Sequence, residues 1–228
     1  MIKIKQILLI ALLCSGPLAM TQNMGISFSF FFPKNGELSM PVSPFSYRGV
    51  ALPFSDYLGV QTGITVYRMP GLNIKGLPFE SQKPLYGPNF TGYVPLELYF
   101  QMGSKSATFT MKGGVFGFYS VFNKLNYGNL DRQIRDYEQW AVANADLKFT
   151  NKPGWGYQGG VELLVPVNRQ FSLTFEVNYL SGYSKLNLEG AYTGGNMAGA
   201  LQTRNVSWPD AKVDLTGLEI SIGAVMGN

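Results

Sequence analysis

The sequence predicts an all-β chain that closes into an eight-stranded antiparallel transmembrane β-barrel. Three observations carry that prediction. Apolar and polar residues alternate with a period of two over segment after segment. The connections between those segments alternate between short and long. Beyond the N-terminal leader, no apolar run is long enough to cross a membrane as a helix.

The clearest segment is 161–178. Val161, Leu163, Val165 and Val167 alternate with Glu162, Leu164 and Pro166. After the turn Asn168-Arg169-Gln170, Phe171, Leu173, Phe175 and Val177 alternate with Ser172, Thr174, Glu176 and Asn178. This pattern is a hairpin with an apolar, aromatic face and a face of Glu, Ser, Thr and Asn. In a barrel crossing lipid, the first faces the acyl chains and the second the interior. A soluble lipocalin-like carrier would put its apolar face inward and charge outward, the reverse of this distribution.

Taken in order, the strands are expected at 25–32, 44–52, 57–69, 92–102, 107–121, 155–167, 171–183 and 213–225. The second is the weakest. Pro95 inside the fourth predicts a bulge or a late entry, because proline has no amide proton for the ladder. Connections are long after strands one, three, five and seven and short after two, four and six. With a start in the periplasm, short periplasmic turns and long external loops require an even strand number. The loop 122–154 contains Ile134, Tyr137 and Trp140 at helix-like spacing. It predicts a short helix or an extension of the strands above the membrane. Arg135, Tyr137 and Trp140 are candidate anchors for a docking partner. The loop 184–212 is rich in Gly and Asn.

Residues 1–22 read as a removed secretory signal peptide, leaving 23–228 as the barrel. Lys3 and Lys5 form the basic start, 7–13 the apolar stretch, and Ala19 and Thr21 the small residues near the cut. The lone cysteine, Cys14, lies inside that leader. The net charge of +4 falls to +2 without Lys3 and Lys5, and no basic stripe suggests nucleic acid.

Six charged residues on the polar faces fall at one level: Arg48, Glu97, Lys112, Glu162, Glu176 and Glu219. A turn at 103–106 would set Glu97 opposite Lys112, and a turn centred on 169 sets Glu162 opposite Glu176. The interior of an eight-stranded barrel is just wide enough for its own side chains. The six are therefore expected to form a structural charge network. Like charges directly opposed are unfavourable, and Lys112 is the expected cation for the two glutamates. A pair of carboxylates at this spacing would suit glycoside chemistry, but a filled lumen admits no sugar.

The alternation, the loop lengths and the strand number together resemble the small OmpA/OmpX-type outer-membrane barrels. The resemblance covers 23–228 and rests on pattern. The chain ends Val225-Met226-Gly227-Asn228, without the terminal aromatic residue usual in that family, although Leu218-x-Ile220-x-Ile222 resembles the rest of that signal. The resemblance implies a bacterial outer-membrane location among lipid and lipopolysaccharide. The leading expectation is a non-enzymatic barrel with a structural or interaction role, either free-standing or as an accessory subunit of an envelope complex for secretion or assembly, alongside other outer-membrane proteins. No peptidoglycan-binding domain is expected. Barrel enzymes of that membrane resemble one another in using a histidine base, and this chain has no histidine. No catalytic residue, metal or cofactor is therefore expected. A narrow pore for small solutes is the alternative, and the soluble carrier a second one. Eight tyrosine and tryptophan residues near strand ends (Tyr57, Tyr67, Tyr93, Tyr119, Trp155, Tyr157, Tyr179 and Tyr183) are expected to form interfacial girdles.

Overall fold

The computed structural model describes residues 24–38, 40–104, 106–168, 170–197 and 199–226, of which 24 and 40–50 are described by their backbone alone. The leader expectation lies outside the described residues. Eight long strands form the wall: β1 (Met24–Pro33), β2 (Met40–Pro53), β3 (Leu58–Met69), β5 (Asn89–Gly103), β6 (Thr108–Val121), β8 (Gly154–Pro166), β9 (Phe171–Lys185) and β13 (Gly217–Met226). Each pairs antiparallel with the next, and β13 pairs with both β9 and β1, so the wall is a closed ring. Closure leaves no free edge among these strands, which is what a sheet in lipid requires.

The alternation along each strand sorts side chains between two environments. Outward are Ile26, Phe28, Val94, Leu96, Leu98, Met111, Leu163, Phe175 and Ile222, all 40–57% exposed. Inward are Ser27, Ser29, Thr65, Glu97, Lys112, Gln158, Glu176, Asn178, Glu219 and Ser221, all buried. An exposed apolar wall around a polar interior is stable only against lipid.

At one end the turns are tight. Ser55 Oγ accepts from Leu58 N at 3.1 Å, Ser104 N donates to Ala107 O at 2.8 Å, and Asn168 Oδ1 accepts from Gln170 N at 2.9 Å. The middle turn is 104–107, one residue later than expected, because Gly103 stays in the ladder opposite Thr108. A Cβ on Gly103 would lie 2.7 Å from the backbone of Thr108, so glycine permits that pairing.

Three further expectations are corrected. The second strand begins at Met40, which cuts the first outer loop to 34–39; register shifts near Pro41/Ser46 and Arg48/Val50 blur its alternation. Pro95 causes no bulge. It pairs with Phe116 in unbroken register on one side, while pairing with β3 lapses between Thr62/Leu96 and Thr65/Tyr93. The missing amide faces that lapse, and Thr62 Oγ1 donates to Pro95 O at 2.5 Å there. The last strand is split into β12 (Lys212–Asp214) and β13, both paired with β9.

The long loops fold into a cap. Helix α1 (Tyr127–Glu138) occupies one, followed by β7 (Val142–Phe149). The connection 186–211 holds the hairpin β10 (Leu188–Gly195) and β11 (Gln202–Trp208), and β10 pairs with β7. A short β4 (Ile74–Lys75) adds to β12. Asn126 caps α1 by accepting from Asn129 N at 3.2 Å, and Gln139 ends it in the left-handed region. Leu130 and Ile134 of α1 are buried with Leu72, Tyr86, Leu147, Leu188, Val213 and Leu215 in the cap core. Among the described residues no helix is long and apolar enough to cross a membrane.

Candidate functional site: lumen and cap

The lumen carries two layers. Nearer the loops, five rings run side by side. Phe31 and Tyr67 are 6.0 Å apart, Tyr67 and Tyr93 6.2 Å, Tyr93 and Phe116 5.0 Å, and Phe116 and Phe118 6.0 Å. Tyr67 and Tyr93 therefore belong to the interior, which corrects the girdle expectation for both. Their positions share the inward parity of Thr65 and Glu97. Tyr119, Trp155, Tyr157 and Tyr179 do lie exposed on the outer wall, and Tyr183 is half-buried there, while Tyr57 is exposed in the tight turn before β3.

The second layer is polar. Lys112 Nζ lies 3.2 Å from Glu162 Oε2 and also pairs with Glu176. Glu162 stands opposite Glu176, the register expected from the turn. Glu97, in contrast, lies opposite Gly114, and Lys112 opposite Tyr99, because of the later turn. Glu97 is held by neutral donors: Gln61 Nε2 at 2.8 Å, and Gln158 Nε2. Glu219 accepts from Tyr67 OH at 2.5 Å and from Asn178 Nδ2 at 2.8 Å. Asn178 also donates to Glu176 Oε1 at 2.6 Å, joining two of the carboxylates. Arg48 sits in register with Gly25 and Gly63; its side chain lies outside the described residues.

Gln61, Gln158, Asn178 and Tyr67 are the residues that a search for charge misses. Their only signal is inward parity, for Gln158 and Asn178 on strands that carry a glutamate and for Gln61 and Tyr67 on β3, which carries none. Buried carboxylates need donors, charged or not. A cavity of about 120 Å³ enters this layer from the turn end, between Ser27, Thr174, Glu162 and Glu97. Tyr93, one of the five rings, also lines it. Among the described residues, no group of acidic, histidine or cysteine side chains is placed to hold a metal.

In the cap, Tyr137 is half exposed with its ring 5.7 Å from Phe79. Trp140 turns inward, 5.8 Å from the Tyr192 ring, with Arg204 over it at 5.3 Å. The Arg135 carbonyl accepts from Trp140 N at 3.0 Å. Arg204 pairs with Glu138 at 2.6 Å, and Tyr192 OH donates to the same carboxylate at 2.6 Å. Burial, and then that hydrogen bond, push the Tyr192 phenol up to about 12.

Lys75 pairs with buried Asp214 at 2.7 Å, and this bond raises the lysine above its ordinary value. A raised folded-state value means the pair's contribution is complete below the ordinary lysine range and is lost as pH climbs through the folded value. The difference in urea midpoint between wild type and Lys75→Gln is expected to stay constant to about pH 10 and shrink above it. A pH-independent difference would contradict the pairing.

A closed eight-strand ring, apolar outside and polar inside, with tight turns at one end and long connections at the other, defines an outer-membrane β-barrel. Comparison with solved structures agrees. The outer membrane protein OprG from Pseudomonas aeruginosa matches at a TM-score of 0.52 and 14% identity, over 92% of this chain and 98% of that one. A major outer membrane protein from Thermus thermophilus matches at 0.39 and 12% identity, over 90% and 98%. The outer membrane protein AlkL matches at 0.34 and 12%, over 91% and 89%. Only the first of these likenesses bears on the fold. No protein-family model and no curated protein matches the chain.

Proposed function

We propose that this chain is a non-enzymatic barrel of the bacterial outer membrane whose role is structural or interactive, with the cap as its working surface. The observation that supports this reading is the row of five rings inside the barrel, from which Tyr67 reaches across the lumen to Glu219 on β13. In this reading residues 1–22 direct export and 23–228 form the barrel. The absence of histidine removes the usual base for hydrolytic chemistry. The lumen glutamates serve to order the interior. Exposed Tyr137 is the foremost docking candidate in the cap, with Arg135 beside it, while Trp140 supports the loop from within.

A narrow pore is the second reading, favoured by the cavity that enters from the turn end. Purified protein in planar bilayers is expected to give no conductance steps above baseline. Regular steps would replace the scaffold reading with the pore. Native size in mild detergent then divides the first reading: a lone monomer means a free-standing barrel, and a large particle with defined companions means an accessory subunit.

A further inference from the structure

On the outer wall, where β8, β9 and β12 meet the cap, three lysines stand side by side. Lys75 pairs across to Lys212, and Lys212 across to Lys185, on three adjacent strands. Like charges directly opposed repel. Among the described residues, Asp214 answers only Lys75, at 2.7 Å. Lys212 Nζ rests 4.7 Å from the centre of the Tyr183 ring, and neither Lys212 nor Lys185 has a carboxylate partner among the described residues. Lys152 N donates to Lys185 O at 3.1 Å, which brings a further exposed lysine alongside.

Beneath this row lies a cavity of about 280 Å³, with Trp155, Tyr157, Ser181 and Tyr183 along its sides, Lys185 and Lys212 at its head, and no acidic residue. A second, larger hollow of about 650 Å³ lies above, and Lys185 and Lys212 border both; Glu80 and Asp210 line only the upper one. Trp155 and Tyr183 are cross-strand partners, as are Tyr157 and Ser181. Exposed Tyr179 and the pair Val161/Val177 continue the same face downward. Aromatic residues of this kind sit at headgroup height, so the lysines stand just above the acyl region. Basic clusters there attract anionic headgroups.

We propose that this face is a binding site for a phosphorylated glycolipid of the outer leaflet. Lys185 and Lys212 hold the phosphate, the Trp155–Tyr157–Tyr183 slot takes the sugar, and an acyl chain runs down past Tyr179. Asp214 engages Lys75, and the other two lysines remain for the ligand. Charge-assisted contacts to phosphate are stronger than neutral ones.

The site rests on the membrane-barrel reading, and the test separates the two. The full chain, purified in detergent, is titrated with diphosphorylated lipid A and followed by native mass spectrometry. Lys185→Gln/Lys212→Gln is expected to lose at least tenfold in affinity, while Lys185→Arg/Lys212→Arg and Arg68→Gln, exposed on β3 across the ring, bind as wild type. Heat-modifiable migration establishes that each variant is folded; if the double variant is not, each single glutamine change is expected to weaken binding severalfold. Unchanged binding by a folded double or single variant would overturn the site. Displacement of the glycolipid by inorganic pyrophosphate would overturn it in favour of free phosphate. Equal binding of phosphatidylglycerol would overturn the glycolipid assignment. A chain that stays in solution without detergent would defeat the membrane reading itself.

Discussion

Lys112→Ala is expected to destabilise the barrel by about 3–5 kcal/mol, the range for removing one partner from a buried ion pair. The Lys112 and Glu176 side chains are 1% and 2% exposed, and Glu162 is 18% exposed. Glu162 and Glu176 are directly opposed, so loss of the ammonium leaves two carboxylates facing each other. The lower end of the range fits best, because the cavity from the turn end brings water close to Glu162. Urea unfolding in detergent, followed by the heat-modifiable shift, reads the effect. Lys148→Ala, on the exposed face of β7, is the control and should move the midpoint little. Adding Glu176→Gln to Lys112→Ala should restore part of the loss, since the opposition is then relieved. If Lys112→Ala and Lys148→Ala unfold together, the charge network contributes nothing.

Phe116→Ala should be comparably costly and should also change what the barrel passes. The Phe116 ring lies where a Cβ on Gly156 or Gly182 would stand, 2.7 and 2.6 Å away respectively, and those glycines are cross-strand partners. The ring thus fills space that the two glycines leave open, and it stands between Tyr93 and Phe118. Truncating a buried phenylalanine costs about 3–5 kcal/mol through lost contacts and the cavity left behind. Here that cavity would join the one from the turn end. Combined with Tyr93→Ala, the change is expected to produce conductance steps in bilayers where wild type produces none. A folded double variant that remains silent would place the seal in the cap, with the rings only filling space.

The wall was legible in the sequence because each strand has two different neighbours. Lipid on one side and a polar interior on the other impose strict alternation, as in Phe171–Asn178 against Val161–Val167. Register within the polar layer was harder. One residue of turn position moved Glu97 from Lys112 to Gly114, and its actual partners, Gln61 and Gln158, carry no charge to betray them. Tyrosine was ambiguous for a related reason: it serves equally at an interface and in a polar core, so Tyr67 and Tyr93 could be assigned only once the lumen was visible. The cap was hidden most thoroughly. Its strands carry mixed, small and polar residues, as in Val142–Phe149, and β10 contains glycines that the packing requires. Gly190, at φ +147°, has the Asp146 carbonyl pressed against the place where a Cβ would sit. Such a glycine reads as a loop residue in a sequence, yet here it lets two strands approach.

Met24 lies opposite Met226, at the seam where the first strand of the wall meets the last. A ring of strands has no beginning in its folded form. Each of the three tight turns is equivalent to that seam as a place to start the chain. A chain joined at the seam and opened at one of those turns is therefore expected to close the same wall.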